Sequence, residues 1–197
     1  LLMLDVFQRP APRPLRDHQA KAIEMLRQSL ARKNHRVVLQ AATGFGKTLT
    51  AAKIIEMALA KGKRVLFTVP RLSLVDQTVD EFTREGITDI GVIQANHPRT
   101  NPLAQVQVAS VQTLARRTIP DDFGLVMVDE CHETYQAIYD LMDRWPSVHF
   151  VGLSATPWAK GMGLRWQDLV QSITIGDLIE KGFLSRFTAY APDVPDL

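Results

Sequence analysis

The sequence has little cysteine, no long apolar run and no dense cluster of charges of one sign. Its single cysteine, Cys131, cannot form an internal disulfide, and this favours a reducing, cytoplasmic setting. No segment approaches the roughly 18 consecutive apolar residues of a membrane-spanning helix, so we expect no membrane partner. The apolar start at residues 1–4 is broken by Asp5 and predicts no secretory signal. A net charge of +2 permits nucleic-acid binding without requiring it.

The order of apolar segments predicts one α/β domain. At 197 residues the chain is long enough for one substantial domain. Short apolar runs that fit buried strands alternate with segments of helical apolar spacing, which is typical of a mostly parallel sheet with helices on both faces. The predicted strands are 36–40, 64–69, 91–94, 106–109, 125–128 and 148–153, and the predicted helices are 17–32, 50–60, 72–84, 111–117 and 132–144. Asp17 is the expected N-cap of the first helix.

Prolines mark both ends of the predicted domain. Three prolines within five residues favour an extended lead-in over residues 1–14. A Pro-rich tail indicates the start of a linker over residues 192–197. The compact domain is therefore expected over residues 15–191, and its last part is predicted to be a strand, a helix over 177–181 and a strand from Arg186.

A phosphate-binding loop is predicted between the first strand and the helix that follows. Residues 41–48 read Ala-Ala-Thr-Gly-Phe-Gly-Lys-Thr, and a helix start after a buried strand favours anions through its free N–H groups and its dipole. Lys47 can reach the outer phosphates and the Thr48 hydroxyl can ligate Mg²⁺, while Gly44 and Gly46 let the backbone curl around the ligand. The usual first glycine of the motif is an alanine here, so a turn that caps an ordinary helix remains an alternative.

Two adjacent carboxylates can supply the other half of a triphosphate-cleaving site. Such a site needs one acid to hold Mg²⁺ and one base to orient water. Asp129 and Glu130 follow the apolar strand 125–128, and ligands bind beyond the carboxyl ends of parallel strands. The tripeptide Val-Asp-Glu occurs a second time, at Asp80 and Glu81, but in a helix-like context. Those two carboxylates are therefore predicted to form a solvated face.

With Asp-Glu-Cys-His at residues 129–132, the chain resembles the first motor domain of the superfamily 2 helicases and translocases, the DExH-box group. Five motifs fall in the family order over residues 15–191. The phosphate loop of this group often lacks its first glycine, which favours the phosphate-loop interpretation here. The resemblance implies a RecA-like P-loop NTPase fold, ATP and Mg²⁺ as cofactors, and a catalytic set of Lys47, Asp129 and Glu130.

The resemblance also implies roles for the other motif residues. The implied Mg²⁺ ligands are Thr48 and Asp129. The implied nucleotide-binding residues are Arg16, Gln19, Thr43, Gly44, Phe45, Gly46, Lys47 and Thr48, and Gln19 would read the adenine edge. The implied contacts to a nucleic-acid backbone are Pro70, Arg71, Ser110, Gln112 and Thr113. The implied coupling residues are His132, Ser154 and Thr156: the hydroxyls of Ser154 and Thr156 would hydrogen-bond the acidic motif, and His132 would link that motif to the Ser-Ala-Thr turn. As bare sequence, the stretch from Ser110 favours a capped helix.

The function implied by the resemblance is that of an ATP-dependent DNA helicase or translocase. DNA is favoured over RNA because the cysteine of the acidic motif and the phosphate loop resemble those of restriction-type and repair-type members. The segment 175–185 resembles the one that closes this domain in such members. Such motors carry an arginine finger, worth about 10³ to 10⁵ in rate, in a second RecA-like domain. This chain alone is therefore expected to hydrolyse ATP weakly. Nuclease or modification subunits are further partners that the resemblance allows.

Three other functions fit parts of the pattern. An RNA helicase domain would use the same motifs. A P-loop NTPase of another class, such as a kinase or a switch protein, explains the phosphate loop but neither Gln19 nor the Ser-Ala-Thr turn at 154–156. A nucleotide-binding module without motor activity would serve as a scaffold. A zinc site is not expected, because Cys131 and His132 lack a second cysteine and suitably spaced histidines.

Overall fold

The fold is described from a computed structural model, which defines residues 13–94, 96–133 and 135–186. Most of the predicted lead-in, the predicted strand beyond Arg186 and the predicted linker over 192–197 lie outside the described residues. The helices are α1 (Asp17–Ala31), α2 (Lys47–Leu59), α3 (Val75–Arg84), α4 (Val111–Leu114), α5 (Gln136–Arg144) and α6 (Ile175–Glu180). The strands are β1 (Arg36–Gln40), β2 (Arg64–Val69), β3 (Ile90–Val92), β4 (Val106–Ser110), β5 (Phe123–Asp129), β6 (His149–Ser154) and β7 (Asp168–Val170). None of the helices in the described part of the chain is long and apolar enough to cross a membrane.

The strands form a single parallel sheet, which confirms the predicted fold class. Their order is β3-β4-β2-β5-β6-β1-β7, and every neighbouring pair runs parallel. Because all strands point the same way, their carboxyl ends lie at one edge of the sheet. The turns that follow β1, β6, β5, β2 and β4 therefore meet at this edge, although they are far apart in sequence.

Helices cover both faces of the sheet, as predicted. Successive strand residues point to opposite faces, so each central strand contributes to two cores. In β5, Leu125 and Met127 pack with α1, α2 and α3 on one face. Val126 and Val128 pack with α4 and α5 on the other face.

The predicted N-cap of α1 and the predicted start of α5 were wrong. Asp17 is the first helical residue of α1 rather than its N-cap, which is Arg16, and the Gln19 side chain accepts a hydrogen bond from the Arg16 N–H at 2.8 Å. The helix predicted from His132 begins at Gln136 instead. Residues 131–133 form a turn instead of a helix. The Cys131 N–H donates to the Leu153 carbonyl of β6 at 3.0 Å, so the chain remains bound to the sheet at this point.

Gly152 in β6 provides the space into which the turn after β5 packs. A Cβ atom at this position would lie 2.5 Å from the Sγ of Cys131 and 2.8 Å from the Trp166 ring. Cys131 is 2% exposed, as expected for a small buried residue. Burial raises the pKa of its thiol, so the side chain stays protonated and acts as a packing group.

We expect Gly152→Ala to lower the free energy of unfolding by about 1–3 kcal/mol, because the added methyl group overpacks a rigid core. Urea denaturation followed by circular dichroism measures this loss. Gly163→Ala is the matched control, since a Cβ there meets nothing within 4 Å. Equal stability of the two variants would contradict the packing role of Gly152.

Candidate functional site

The candidate site lies where β1, β6 and β5 end side by side. The sheet register pairs Gln40 of β1 with Ser154 of β6, and Leu153 of β6 with Asp129 of β5. The chain after β1 forms the loop that leads into α2, so the loop faces the acidic motif across the end of β6. The structure thus brings together the two predicted halves of the site.

The loop over residues 41–46 has the backbone that its glycines predict. Gly44 and Gly46 have φ values of 80° and 87°, in the left-handed region that other residues rarely adopt. Ala41 replaces the usual first glycine at no cost in backbone strain, because its φ is not positive. Its N–H continues the sheet by donating to the Ser154 carbonyl at 2.8 Å. The missing glycine therefore does not disturb the loop.

Side chains at the N-terminal end of α1 hydrogen-bond to the backbone carbonyls of the loop. The amide of Gln19 donates to the carbonyls of Phe45 and Gly46 at 3.1 and 3.0 Å. The Nε2 of His18 lies 3.0 Å from the Phe45 carbonyl, and Arg16 donates to the Gly44 carbonyl at 3.1 Å. These contacts fix the loop before any ligand binds.

Two of the residues expected to bind the nucleotide are buried. The Phe45 side chain is 1% exposed and packs against the His18 ring, and its contact with a nucleotide stays a prediction. Gln19 is also 1% exposed, and both hydrogens of its amide are bound to loop carbonyls. Its contact with adenine stays a prediction. Thr43 is exposed at the tip of the loop.

A half-buried ion cluster occupies the centre of the site. The Nζ of Lys47 lies 2.6 Å from a Glu130 oxygen and 3.3 Å from an Asp129 oxygen. Burial opposes the charge on Lys47, but the two carboxylates outweigh it and its pKa is raised. Burial also raises the pKa of Asp129, although the Lys47 charge acts in the opposite direction. One ammonium group therefore serves two carboxylates.

Glu130 reaches this cluster through an unusual backbone conformation. Its φ is 49°, in the left-handed region, which costs a non-glycine residue on the order of 1–3 kcal/mol. The sharp turn lets its carboxylate point back toward Lys47 directly after β5 ends. Strain of this kind persists where surrounding contacts hold it, and it is common at functional sites.

The acidic motif is linked to the Ser-Ala-Thr turn, as predicted. The Nδ1 of His132 lies 2.9 Å from the Ser154 hydroxyl and 3.3 Å from a Glu130 oxygen. Ser154 is fully buried, and its hydroxyl accepts a hydrogen bond from the Thr156 N–H at 3.0 Å. The contribution of Thr156 thus comes from its backbone, and its side chain is exposed.

Glu81 belongs to the site, although the sequence predicted a solvated position. The Thr48 hydroxyl donates to a Glu81 oxygen at 2.9 Å, and both side chains line a small cleft with Lys47 and Asp129. A solvated position was predicted for both Asp80 and Glu81, and it is correct for Asp80, which is exposed and pairs with Arg99 at 3.3 Å. A helical wheel of α3 places Glu81 beside the buried apolar stripe, but only the packing of α3 against α2 brings it to Thr48.

The predicted nucleic-acid residues lie together at the ends of β2 and β4. The register pairs Val69 with Ser110, so Pro70 and Arg71 lie beside the start of α4. Arg71 and Gln112 are exposed, and Thr113 is partly exposed. Ser110 is fully buried and its hydroxyl accepts from the Thr113 N–H at 3.1 Å. Ser110 therefore caps α4, as the bare sequence favours, and its contact with a nucleic-acid backbone stays a prediction.

The residues of the cleft fit a nucleotide with Mg²⁺. The left-handed glycines and the free N–H groups at the start of α2 form a cradle for phosphate. Hydroxyl and carboxylate oxygens, the ligands that Mg²⁺ prefers, come from Thr48 and Asp129. Among the described residues, no group of three or more His, Cys, Asp or Glu side chains is arranged to hold a metal.

Comparison with known proteins identifies similar chains. The sequence profile of a family described as "Type III restriction enzyme, res subunit" matches residues 13–159. The endonuclease subunit of the Escherichia coli type I restriction enzyme EcoAI is 29% identical over 91% of this chain and 24% of its own length. The replication restart protein PriA of Bacillus subtilis is 31% identical over 66% of this chain and 17% of its own length. This chain thus spans a quarter or less of these two relatives.

A solved structure supports the fold. The UvsW helicase of bacteriophage T4 superposes with a TM-score of 0.64 at 23% identity, over 78% of this chain and 58% of the helicase chain. At this identity the likeness concerns the fold, and the predicted RecA-like architecture is confirmed.

We expect Lys47→Met to destabilise the ligand-free protein by about 1–3 kcal/mol at neutral pH, because it leaves two partly buried carboxylates without their shared cation. The loss should shrink as the pH falls toward the raised pKa of Asp129, since a protonated carboxyl needs no partner. Urea denaturation between pH 5 and about pH 8 measures both effects.

The matched control is Lys53→Met on the same helix. Lys53 pairs with Glu56 at 2.6 Å, but both side chains are more than a third exposed, so the loss should stay below about 1 kcal/mol. A loss at Lys47 that matches the control, or that does not change with pH, would argue against a cluster held by one lysine.

Proposed function

The chain belongs to the family of the type III restriction enzyme res subunit, and from this premise we propose that it is the first RecA-like motor domain of an ATP-dependent DNA helicase or translocase. The observation that carries this proposal is the Lys47 ammonium held 2.6 Å from Glu130 and 3.3 Å from Asp129. An incoming triphosphate could replace the two carboxylates as the partner of this ammonium group.

Each charged residue of the cluster has a role in this proposal. Lys47 would leave the carboxylates and donate to the outer phosphates. Thr48 and Asp129 would hold Mg²⁺, which when bound offsets charge on the β- and γ-phosphate oxygens. Glu130, released from Lys47, would accept a hydrogen bond from the attacking water and orient it. His132 and Ser154 would carry this change to the Ser-Ala-Thr turn.

The nucleic-acid surface of the proposed motor lies at the ends of β2 and β4. Arg71 and Gln112 are exposed there, and they follow two strands, β2 and β4, that are neighbours in the sheet. Neither side chain needs to read bases, since contacts to phosphates position a protein without specifying sequence. We propose DNA rather than RNA as the substrate, because the relatives are named as restriction and replication restart proteins.

The proposed motor also requires parts outside the described residues. We propose that the whole protein contains a second RecA-like domain that supplies an arginine finger, a group worth about 10³ to 10⁵ in rate. The similar relatives are several times longer than this chain, which leaves room for such a domain. A nuclease or modification subunit is a further proposed partner, because one relative is named as an endonuclease subunit.

We expect Lys47→Ala to abolish nucleotide binding, because the cation that faces the phosphates is lost. Glu130→Gln should keep nucleotide binding but lose turnover by about 10² to 10⁴, since an amide cannot act as a base. Titration with a fluorescent ADP analogue measures binding, and phosphate release by the full-length protein with duplex DNA measures turnover.

The two variants test the assigned chemistry, and turnover of the unsubstituted full-length protein with DNA or RNA separates the proposed function from its rivals. Unchanged turnover in both variants would refute the assigned chemistry. Nucleotide binding without DNA-stimulated turnover in the full-length protein would favour a scaffold module. Stimulation by RNA alone would favour an RNA helicase, and turnover indifferent to either nucleic acid would favour another class of P-loop NTPase.

We expect Arg71→Ala to weaken DNA binding at low salt and to reduce the salt dependence by about one charge, because each neutralised phosphate adds roughly 0.9 to the slope for duplex DNA. Fluorescence anisotropy with a short labelled duplex at several salt concentrations measures the slope. Arg84→Ala is the matched control, since Arg84 is exposed at the opposite end of α3. A slope unchanged by Arg71→Ala would place the DNA elsewhere.

A further inference from the structure

Glu81 is held in the cleft by both of its oxygens. Oε2 accepts a hydrogen bond from the Thr48 hydroxyl at 2.9 Å, and Oε1 accepts one from the Gln77 amide at 2.9 Å. Gln77 lies one turn earlier on α3, so the helix itself orients the carboxylate. The same cleft is lined by Asp129 and Lys47. Glu81 is therefore a fixed group that the roles assigned above leave unexplained.

A hydroxyl that binds a metal ion needs an acceptor for its hydrogen, and Glu81 can serve as that acceptor. A threonine hydroxyl has one hydrogen and two lone pairs, and a metal ion takes a lone pair. The hydrogen must then point away from the metal and needs an acceptor, and such outer contacts orient metal ligands. Asp129 is poorly suited as that acceptor, because its carboxylate is itself the proposed metal ligand. Glu81 already accepts the Thr48 hydrogen.

We infer that Glu81 is a positioning residue for Mg²⁺, which accepts the Thr48 hydrogen and so directs a lone pair of that oxygen into the cleft. The inference rests on the proposed function, since it requires a nucleotide site that uses Mg²⁺. Glu81 itself does not touch the metal in this arrangement.

The position of α3 makes this role specific to one of two adjacent carboxylates. Residues one apart on a helix point about 100° away from each other, so Asp80 and Glu81 cannot face the same partner. Asp80 points to Arg99 on the outer surface, at 3.3 Å. Asp80 therefore provides a control with the same charge, on the same helix, outside the cleft.

The test measures how much Mg²⁺ the protein needs to bind a fluorescent ADP analogue. Glu81→Ala should raise the half-saturating Mg²⁺ concentration by about 10- to 100-fold, the range typical of lost contacts that orient metal ligands. Its affinity for the analogue in EDTA should not fall, because no phosphate contact is removed. Glu81→Gln should stay close to wild type, since an amide oxygen still accepts the Thr48 hydrogen. Asp80→Asn should match wild type.

A double mutant tests whether Glu81 acts through Thr48. In a Thr48→Val background the hydroxyl is absent, so Glu81→Ala should then change the Mg²⁺ requirement by less than about twofold. Equal losses with Mg²⁺ and in EDTA would indicate a merely structural role and overturn the inference, as would a Glu81→Gln variant as weak as Glu81→Ala. Wild-type protein that binds no nucleotide would overturn the proposed function, whereas Mg²⁺-dependent wild-type binding unchanged by Glu81→Ala would overturn this inference alone.

Discussion

The site depends on one ammonium group that neutralises two carboxylates in a half-buried cleft. Lys47 is 27% exposed, and Asp129 and Glu130 are exposed by 21% and 29%, so water screens their charges only in part. Without the lysine, the two carboxylates would repel each other across the same space. With it, the left-handed backbone at Glu130 is held by a short ion pair. The ligand-free cluster thus keeps in place the groups that a triphosphate would need.

The parallel sheet makes this cluster possible, because it gathers the ends of distant strands at one edge. β6 lies between β1 and β5, and its last residue, Ser154, therefore lies between the loop and the acidic motif. The Ala41 N–H binds its carbonyl, and His132 lies beside its hydroxyl. Ser154 is therefore in direct contact with both halves of the site. β6 thus physically connects the loop after β1, the acidic motif after β5 and the Ser-Ala-Thr turn that follows β6 itself.

Residues whose role depends on local order could be predicted from the sequence, and residues whose role depends on packing could not. Asp129 follows an apolar strand, and strand ends are where parallel sheets bind ligands. The burial of Ser110 and Phe45 depends on which way each side chain turns, and neighbouring elements decide this. The resemblance implies that Gln19 reads the adenine edge, but only the structure shows that its amide donates to two loop carbonyls.

The repeated tripeptide Val-Asp-Glu shows the same limit within one site. At the end of β5, a left-handed turn brings both carboxylates of the tripeptide to Lys47. On α3 the helical period allows only one of them to face inward, and it is the glutamate that meets Thr48. Context correctly placed the first copy at the end of a buried strand, where both carboxylates reach Lys47. The same reasoning was wrong for the second copy, because α3 directs Glu81 into the cleft while its neighbour Asp80 stays exposed. The two copies therefore serve one site through different backbone geometry, and only the packing of α3 on α2 reveals the second.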